Sequence, residues 1–147
     1  MLYKKQAKPD GFLNGVREET PSAYALPHVL LVEDNLLNRE LTAYFLKNVC
    51  TLDQTARGEE AIQMAGIRRY HAILMDINLG QGMDGLKVTQ SIRKLPGYQE
   101  TPVIALTGYS YEDEIEKLLS NGCTHYITKP YDKASLINLL NRALGRS

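Results

Sequence analysis

Three short apolar runs that each end in charged residues constrain the fold of this chain most. The runs and the residues after them are His28–Val32 with Glu33 and Asp34, Ala72–Met75 with Asp76, and Tyr126–Thr128 with Lys129 and Pro130. Short apolar runs rich in β-branched residues predict buried strands. If the strands are parallel, their charged carboxyl ends meet at one edge of one sheet. Three carboxylates and one ammonium would then share a pocket suited to a hard divalent cation and a phosphoryl group.

Helical patterns alternate with these strands. Two further segments, CTLDQTA from Cys50 and TPVIALTG from Thr101, bring the number of predicted strands to five. In the first helical segment apolar residues recur at Leu37, Leu41, Tyr44, Phe45 and Leu46, a stripe of the kind that faces the core in a surface helix. Strands separated by single helices predict an α/β fold, namely a doubly wound, five-stranded parallel sheet with helices on both faces, flavodoxin-like and (βα)5.

Length and charge narrow the class of protein further. The 147 residues suffice for one domain, and 17 basic residues balance 17 acidic ones, so no overall field favours nucleic acid. We expect residues 1–27, which lack a sustained period, to form a flexible arm or linker, and residues 28–147 to form the domain. No apolar run approaches the ~20 residues of a membrane span, and no apolar signal core is seen, so we expect a cytoplasmic location without membrane contact.

The residues at the predicted strand ends suggest a specific chemistry, because ligands of doubly wound sheets bind there. The first loop, EDNLLN, has no glycine and two negative charges, which excludes a bare nucleotide phosphate. Mg²⁺ would reverse the charge of the site, with Asp34 and Asp76 as direct ligands and Glu33 acting through a water. An aspartate can then attack a phosphoryl donor, while Lys129 and Thr107 stabilise the phosphoryl oxygens.

Each of these residues also has an ordinary structural interpretation. Glu33 to Asn35 could cap the following helix, Asp76 could cap a turn, Thr107 could be a β-branched strand residue, and Lys129 could lie in a solvated turn. Four such residues at four different strand ends are hard to explain as caps alone. The set as a whole favours a functional site.

The motifs VEDN, ARGEEA, DINL with MDGL, ALTG and YITKP, in this order, resemble the receiver domain of two-component response regulators over residues 28 to 145. The resemblance implies that Asp76 accepts a phosphoryl group from a phosphohistidine and that Mg²⁺ is held by Asp34, Asp76, Glu33 and the Asn78 backbone carbonyl. It also implies a switch hydroxyl at Thr107, a switch aromatic at Tyr126, and a cis peptide bond between Lys129 and Pro130.

One loop departs from the family pattern. After the acceptor, receivers usually have Met-Pro-x-Met-Asp-Gly, whereas this chain has LGQGMDG, with Gly80, Gly82 and one extra residue. Gly108 also replaces the commoner alanine. Neither change removes a chemical group, so phosphorylation is still expected, with altered partner choice or phosphoryl lifetime as the expected consequence.

Two other functions compete with this hypothesis. An Mg²⁺-dependent phosphatase with an aspartyl nucleophile usually has a second aspartate two residues later, but Asn78 stands there. An interaction module that is never phosphorylated would not need the intact acidic set. We therefore expect a signalling phosphoacceptor rather than an enzyme. Its expected partners are a sensor or hybrid histidine kinase or a histidine phosphotransfer protein, and a downstream protein; the family also allows a homodimer formed on phosphorylation, and no nucleic acid is expected.

Overall fold

The computed structural model describes residues 25–80, 84–108 and 111–146. Its five strands are β1 (His28–Val32), β2 (Thr51–Thr55), β3 (Ala72–Asp76), β4 (Val103–Thr107) and β5 (His125–Thr128). Its five helices are α1 (Leu36–Phe45), α2 (Gly58–Ile67), α3 (Gly85–Arg93), α4 (Glu112–Ser120) and α5 (Lys133–Ala143). The predicted alternation of strands and helices is confirmed.

All neighbouring strands are parallel, and their order in the sheet is β2-β1-β3-β4-β5. The chain moves from β1 outward to β2 and then returns to the other side of β1 as β3. The carboxyl ends of β1 and β3 therefore form the switch point at which doubly wound sheets bind ligands.

The central strands are buried on both sides because helices cover both faces of the sheet. In β1, Leu30 and Val32 belong to one core cluster, and Val29 and Leu31 belong to the other. Side chains alternate between the two faces of a strand, so this near-continuous apolar run is what a doubly covered parallel strand requires. The predicted fold class is confirmed.

The predicted core stripe of α1 is wrong at three positions. Leu37, Leu41 and Tyr44 are 74%, 48% and 68% exposed, whereas Thr42 is buried in the helix and Leu46 at its end. All three leucines within the helix are exposed, so their spacing alone did not identify the face that contacts the sheet. The outer side of α1 is an exposed apolar surface.

Some sequence predictions lie outside the described residues. These are the arm up to residue 24 and the glycine at position 82. In the described part of the chain, α4 begins at Glu112 with Tyr111 at the N-cap position and no side-chain cap bond. No helix among the described residues has the length and apolar character needed to cross a membrane.

Candidate functional site

The residues predicted from the strand ends line one cleft of about 340 Å³. Glu33 and Asp34 directly follow β1, and Asp76 is the last residue of β3. β4 ends at Thr107, and Lys129 follows β5 directly. The walls also include Asn78 and Gly108. The structure thus brings together every residue that we expected to take part in the chemistry.

Lys129 bridges the two buried carboxylates of this cleft. Its Nζ lies 3.0 Å from Asp76 Oδ1 and 3.2 Å from Glu33 Oε1. Asp76 and Glu33 are only 2% and 1% exposed, so water screens these charges little. The two acids are held close together by one shared cation.

Burial raises the pKa of Asp76 to about 6, and the neighbouring Glu33 carboxyl adds to the rise while Lys129 opposes it. Burial lowers the pKa of Lys129, but the carboxylates of Asp76 and Glu33 outweigh this effect and the net shift is upward. One ammonium therefore does not fully compensate the two buried acids.

The three carboxylates can hold a metal ion. Oxygen atoms of Glu33, Asp34 and Asp76 lie within 4.8 Å of one another. The buried Glu33 Oε1 has no hydrogen-bond partner among the described residues, although Lys129 Nζ is nearby. A buried acceptor without a hydrogen bond is costly, and a hard cation with its waters would satisfy it. Asp34 is exposed to solvent, which leaves this side of the cleft open.

Two residues that the sequence analysis did not single out hold Glu33 in place. The backbone N–H of Asn35 donates to Glu33 Oε2 at 3.2 Å, and Arg39 Nη1 donates to the Glu33 carbonyl at 2.8 Å. Asn35 is also the N-cap of α1, where its side chain accepts from the N–H of Asn38. The sequence predicts Asn35 only as a cap of α1, and no pattern in the sequence indicates the contact of Arg39.

The Met-Asp-Gly motif has a structural explanation in its last two residues. The Asp84 side chain caps α3 by accepting from the N–H of Lys87 at 3.0 Å. The N–H of Gly85 donates to the Ile77 carbonyl, and a side chain at Gly85 would collide with the backbone of Asp76. The glycine thus lets α3 start directly against the segment that carries Asp76.

The switch residues expected from the resemblance lie on the two strands nearest Lys129. Thr107 is buried at the end of β4, and its carbonyl accepts from the N–H of Lys129 at 2.7 Å. Tyr126 on β5 is 42% exposed. The Lys129–Pro130 peptide bond is cis. The N–H of Asn78 donates to Asp76 Oδ1 at 3.1 Å, which places the Asn78 backbone beside the acidic cluster.

A five-stranded doubly wound sheet with an acidic cluster at its switch point defines a flavodoxin-like (βα)5 domain. A family model described as the response regulator receiver domain matches residues 29–141. The chain belongs to this receiver family of two-component signalling.

Curated relatives include a histidine-protein kinase and a response regulator. The chain is 36% identical over 115 residues to the signal transduction histidine-protein kinase BarA of Escherichia coli K12, a match that covers 78% of this chain and 12% of that kinase. It is 33% identical over 118 residues to the polar-differentiation response regulator DivK of Brucella anthropi, covering 80% of this chain and 95% of that regulator. The chain thus spans only a small part of one relative and nearly all of the other.

A solved structure similar to this one is the receiver domain of a sensor histidine kinase from Pseudomonas aeruginosa PAO1. The two share 34% identity with a TM-score of 0.75, over 82% of this chain and 99% of that one. That crystal structure has a magnesium ion coordinated in its active site cleft.

Proposed function

We propose that Asp76 accepts a phosphoryl group from a phosphohistidine, with Mg²⁺ as cofactor, and that the loaded domain signals to a protein partner. The observation that carries the proposal is the placement of Asp76, a buried acid 3.0 Å from a lysine and clustered with two further carboxylates. Neither a cap nor a surface ion pair needs this burial of like charges.

The metal would be held by Asp34, Asp76 and the Asn78 carbonyl, with Glu33 acting through a coordinated water. When bound, Mg²⁺ supplies positive charge that neutralises the phosphoryl oxygens and the crowded carboxylates. Ionised Asp76 attacks phosphorus, so a new P–O bond forms as the P–N bond to the donor imidazole breaks. The electron pair of the broken bond leaves with the imidazole.

Lys129 and Thr107 act on the transferred group. Lys129, which now pairs with Asp76, would shift its ion pair to a phosphoryl oxygen because the phosphorylated carboxyl no longer carries a negative charge of its own. The hydroxyl of Thr107 at the end of β4 would donate to another oxygen. Positioning and charge stabilisation of this kind account for most of the catalysis of phosphoryl transfer.

The signal would travel from Thr107 to Tyr126 through the neighbouring strand. β4 and β5 are paired, with Thr107 opposite Thr128, and the side chain of Tyr126 on β5 is exposed. A phosphoryl group that draws in the Thr107 hydroxyl would bias this two-state element towards one surface. The downstream protein, or a second copy of the domain, would read that surface.

The proposed partners follow from the relatives. Because BarA is a histidine kinase, we propose a sensor kinase, a hybrid kinase or a histidine phosphotransfer protein as the donor. Residues 28–147 would form the receiver, with 1–27 as an arm or linker. Asn78 in place of a general acid–base aspartate argues against a true phosphatase, so turnover would be limited to self-phosphorylation and slow hydrolysis.

The test is to incubate the full chain with Mg²⁺ and a small acyl phosphate and to measure the intact mass. We expect a gain of one phosphoryl group that requires Mg²⁺ and is absent in Asp76→Asn. Asp113→Asn, which removes an exposed aspartate of α4, is the matched control and should gain the group as wild type does. A gain that persists in Asp76→Asn would disprove the assignment of the acceptor.

A further inference from the structure

Gly80, four residues after Asp76, closely approaches the acidic cluster from the β3–α3 loop. Its φ is +70°, a region that glycine adopts without a steric penalty. A Cβ placed on Gly80 would lie 2.8 Å from Asp34 Oδ2, which is shorter than real Cβ contacts. A side chain at position 80 would therefore push the Asp34 carboxylate, the end of a flexible and exposed side chain, out of its present position.

The conformation of Gly80 also explains why the loop departs from the family pattern. In that pattern a proline follows the residue that corresponds to Leu79. A proline ring fixes φ near −65°, so it cannot occupy a residue with φ of +70°. Glycine at position 80 is therefore compatible with this backbone conformation, and the proline of the family pattern is not.

Nothing else in the described part of the chain fixes that carboxylate. Glu33 is held by Asn35 and Asp76 by Asn78, but the Asp34 side chain is exposed and has no hydrogen bond or salt bridge to any described residue. Among the described residues, the close approach of Gly80 is therefore the contact that limits where the Asp34 carboxylate can lie.

We propose that Gly80 is a positioning residue for Asp34 that makes the site selective for Mg²⁺ over Ca²⁺; the inference rests on the metal role of the proposed function. Mg²⁺ needs near-ideal octahedral geometry at 2.0–2.1 Å, whereas Ca²⁺ accepts flexible geometry at 2.3–2.6 Å. A methyl group that moves Asp34 by a few tenths of an ångström therefore weakens Mg²⁺ binding more than Ca²⁺ binding.

Calorimetric titration of the full chain with each ion tests this, in wild type, Gly80→Ala and Gly145→Ala. Gly145 is a matched control because its φ is +71° and a Cβ there meets nothing within 4 Å. We expect Gly80→Ala to raise the Kd for Mg²⁺ roughly tenfold, with a smaller rise for Ca²⁺, and Gly145→Ala to change neither. Equal losses for both ions, or no loss, would overturn the inference.

A second measurement separates the collision from backbone strain. In EDTA, the fall in urea midpoint caused by Gly80→Ala should be smaller in an Asp34→Ala background, because the colliding carboxylate is gone. An unchanged fall would count against the proposal. If wild type binds neither ion, the metal role itself fails; if wild type binds Mg²⁺ and both glycine variants match it, only the role of Gly80 fails.

Discussion

Asp76 combines two properties that work against each other at the scale of a single residue. The fold buries it beside Glu33, which makes its ionised form unfavourable, and the proposed chemistry needs that ionised form. Burial and the neighbouring Glu33 raise the pKa of Asp76 from the ordinary 3.8 to about 6. Functional sites often contain such residues, at a cost in stability.

Replacing Asp76 with Asn should therefore stabilise the metal-free domain. The folded chain binds more protons at Asp76 than the unfolded chain between pH 3.8 and about 6, so wild-type stability falls as the pH rises through this window. At pH 8 in EDTA we expect Asp76→Asn to be more stable by about 1–3 kcal/mol, and this gain should shrink towards pH 4.5. Urea denaturation at the two pH values measures both.

If Asp76→Asn is less stable than wild type at pH 8, the ion pair with Lys129 outweighs the burial of two acids. Asp113→Asn serves as the reference for replacing an exposed aspartate, with an expected change within about 0.5 kcal/mol.

Gly85 supports the site because it has no side chain that would collide with the segment carrying Asp76. Because a Cβ there would collide with the backbone of Asp76, Gly85→Ala should destabilise the domain by about 1–3 kcal/mol and displace the acceptor. Gly66 in α2 is the matched control, since a Cβ there meets nothing within 4 Å. Gly66→Ala should leave stability unchanged or raise it by up to about 1 kcal/mol. Equal effects in thermal denaturation would remove the steric explanation.

At the scale of elements, the strands were more predictable than the helix faces. The unbroken apolar run of β3 corresponds to a strand that is buried on both sides. The run Tyr126–Thr128 also predicted a buried strand, and this prediction is wrong, because β5 lies at the edge of the sheet and is only partly buried. The charged residues that end such runs then locate the site, because parallel strands share one carboxyl edge. Contacts such as Arg39 with the Glu33 carbonyl depend on side-chain reach and leave no comparable pattern in the sequence.

Helix α1 shows why a helical face is harder to predict. Its buried side includes Thr42, whose hydroxyl hydrogen-bonds to the Tyr131 hydroxyl at 2.8 Å, next to α5. Leucines occupy the outer side, so hydrophobicity was not confined to one stripe. Contacts with neighbouring residues such as Tyr131 decide which side of α1 is buried, and the distribution of its own apolar residues does not.

A leucine within α1 and the leucine at its C-cap give a direct comparison. Leu46 is 1% exposed and Leu37 is 74% exposed. Truncation of the buried one, Leu46→Ala, should cost about 2–5 kcal/mol, whereas Leu37→Ala should change stability by no more than about 0.5 kcal/mol. Chemical denaturation of both variants checks this, and a large loss in Leu37→Ala would mean that the outer side of α1 is covered in solution.

At the scale of the whole molecule, Mg²⁺ should act as a folding ligand. Binding to the native cluster of Glu33, Asp34 and Asp76, which exists only in the folded chain, should add about 2.7 kcal/mol of stability when Mg²⁺ exceeds its Kd a hundredfold. Thermal denaturation with MgCl₂, and with NaCl at equal ionic strength, separates binding from screening. Asp34→Asn should lose most of the gain, and an equal gain in that variant would place the metal elsewhere.

The central claim is that the phosphoryl group is carried by the side chain of Asp76. An acyl phosphate is reduced by borohydride to an alcohol, so a phosphorylated aspartate becomes homoserine and can be located by peptide mass mapping. After treatment of the full chain with Mg²⁺ and a small acyl phosphate, we expect homoserine at position 76 and at no other aspartate. Homoserine at position 34, or at no position in a chain that has gained phosphoryl mass, would contradict it.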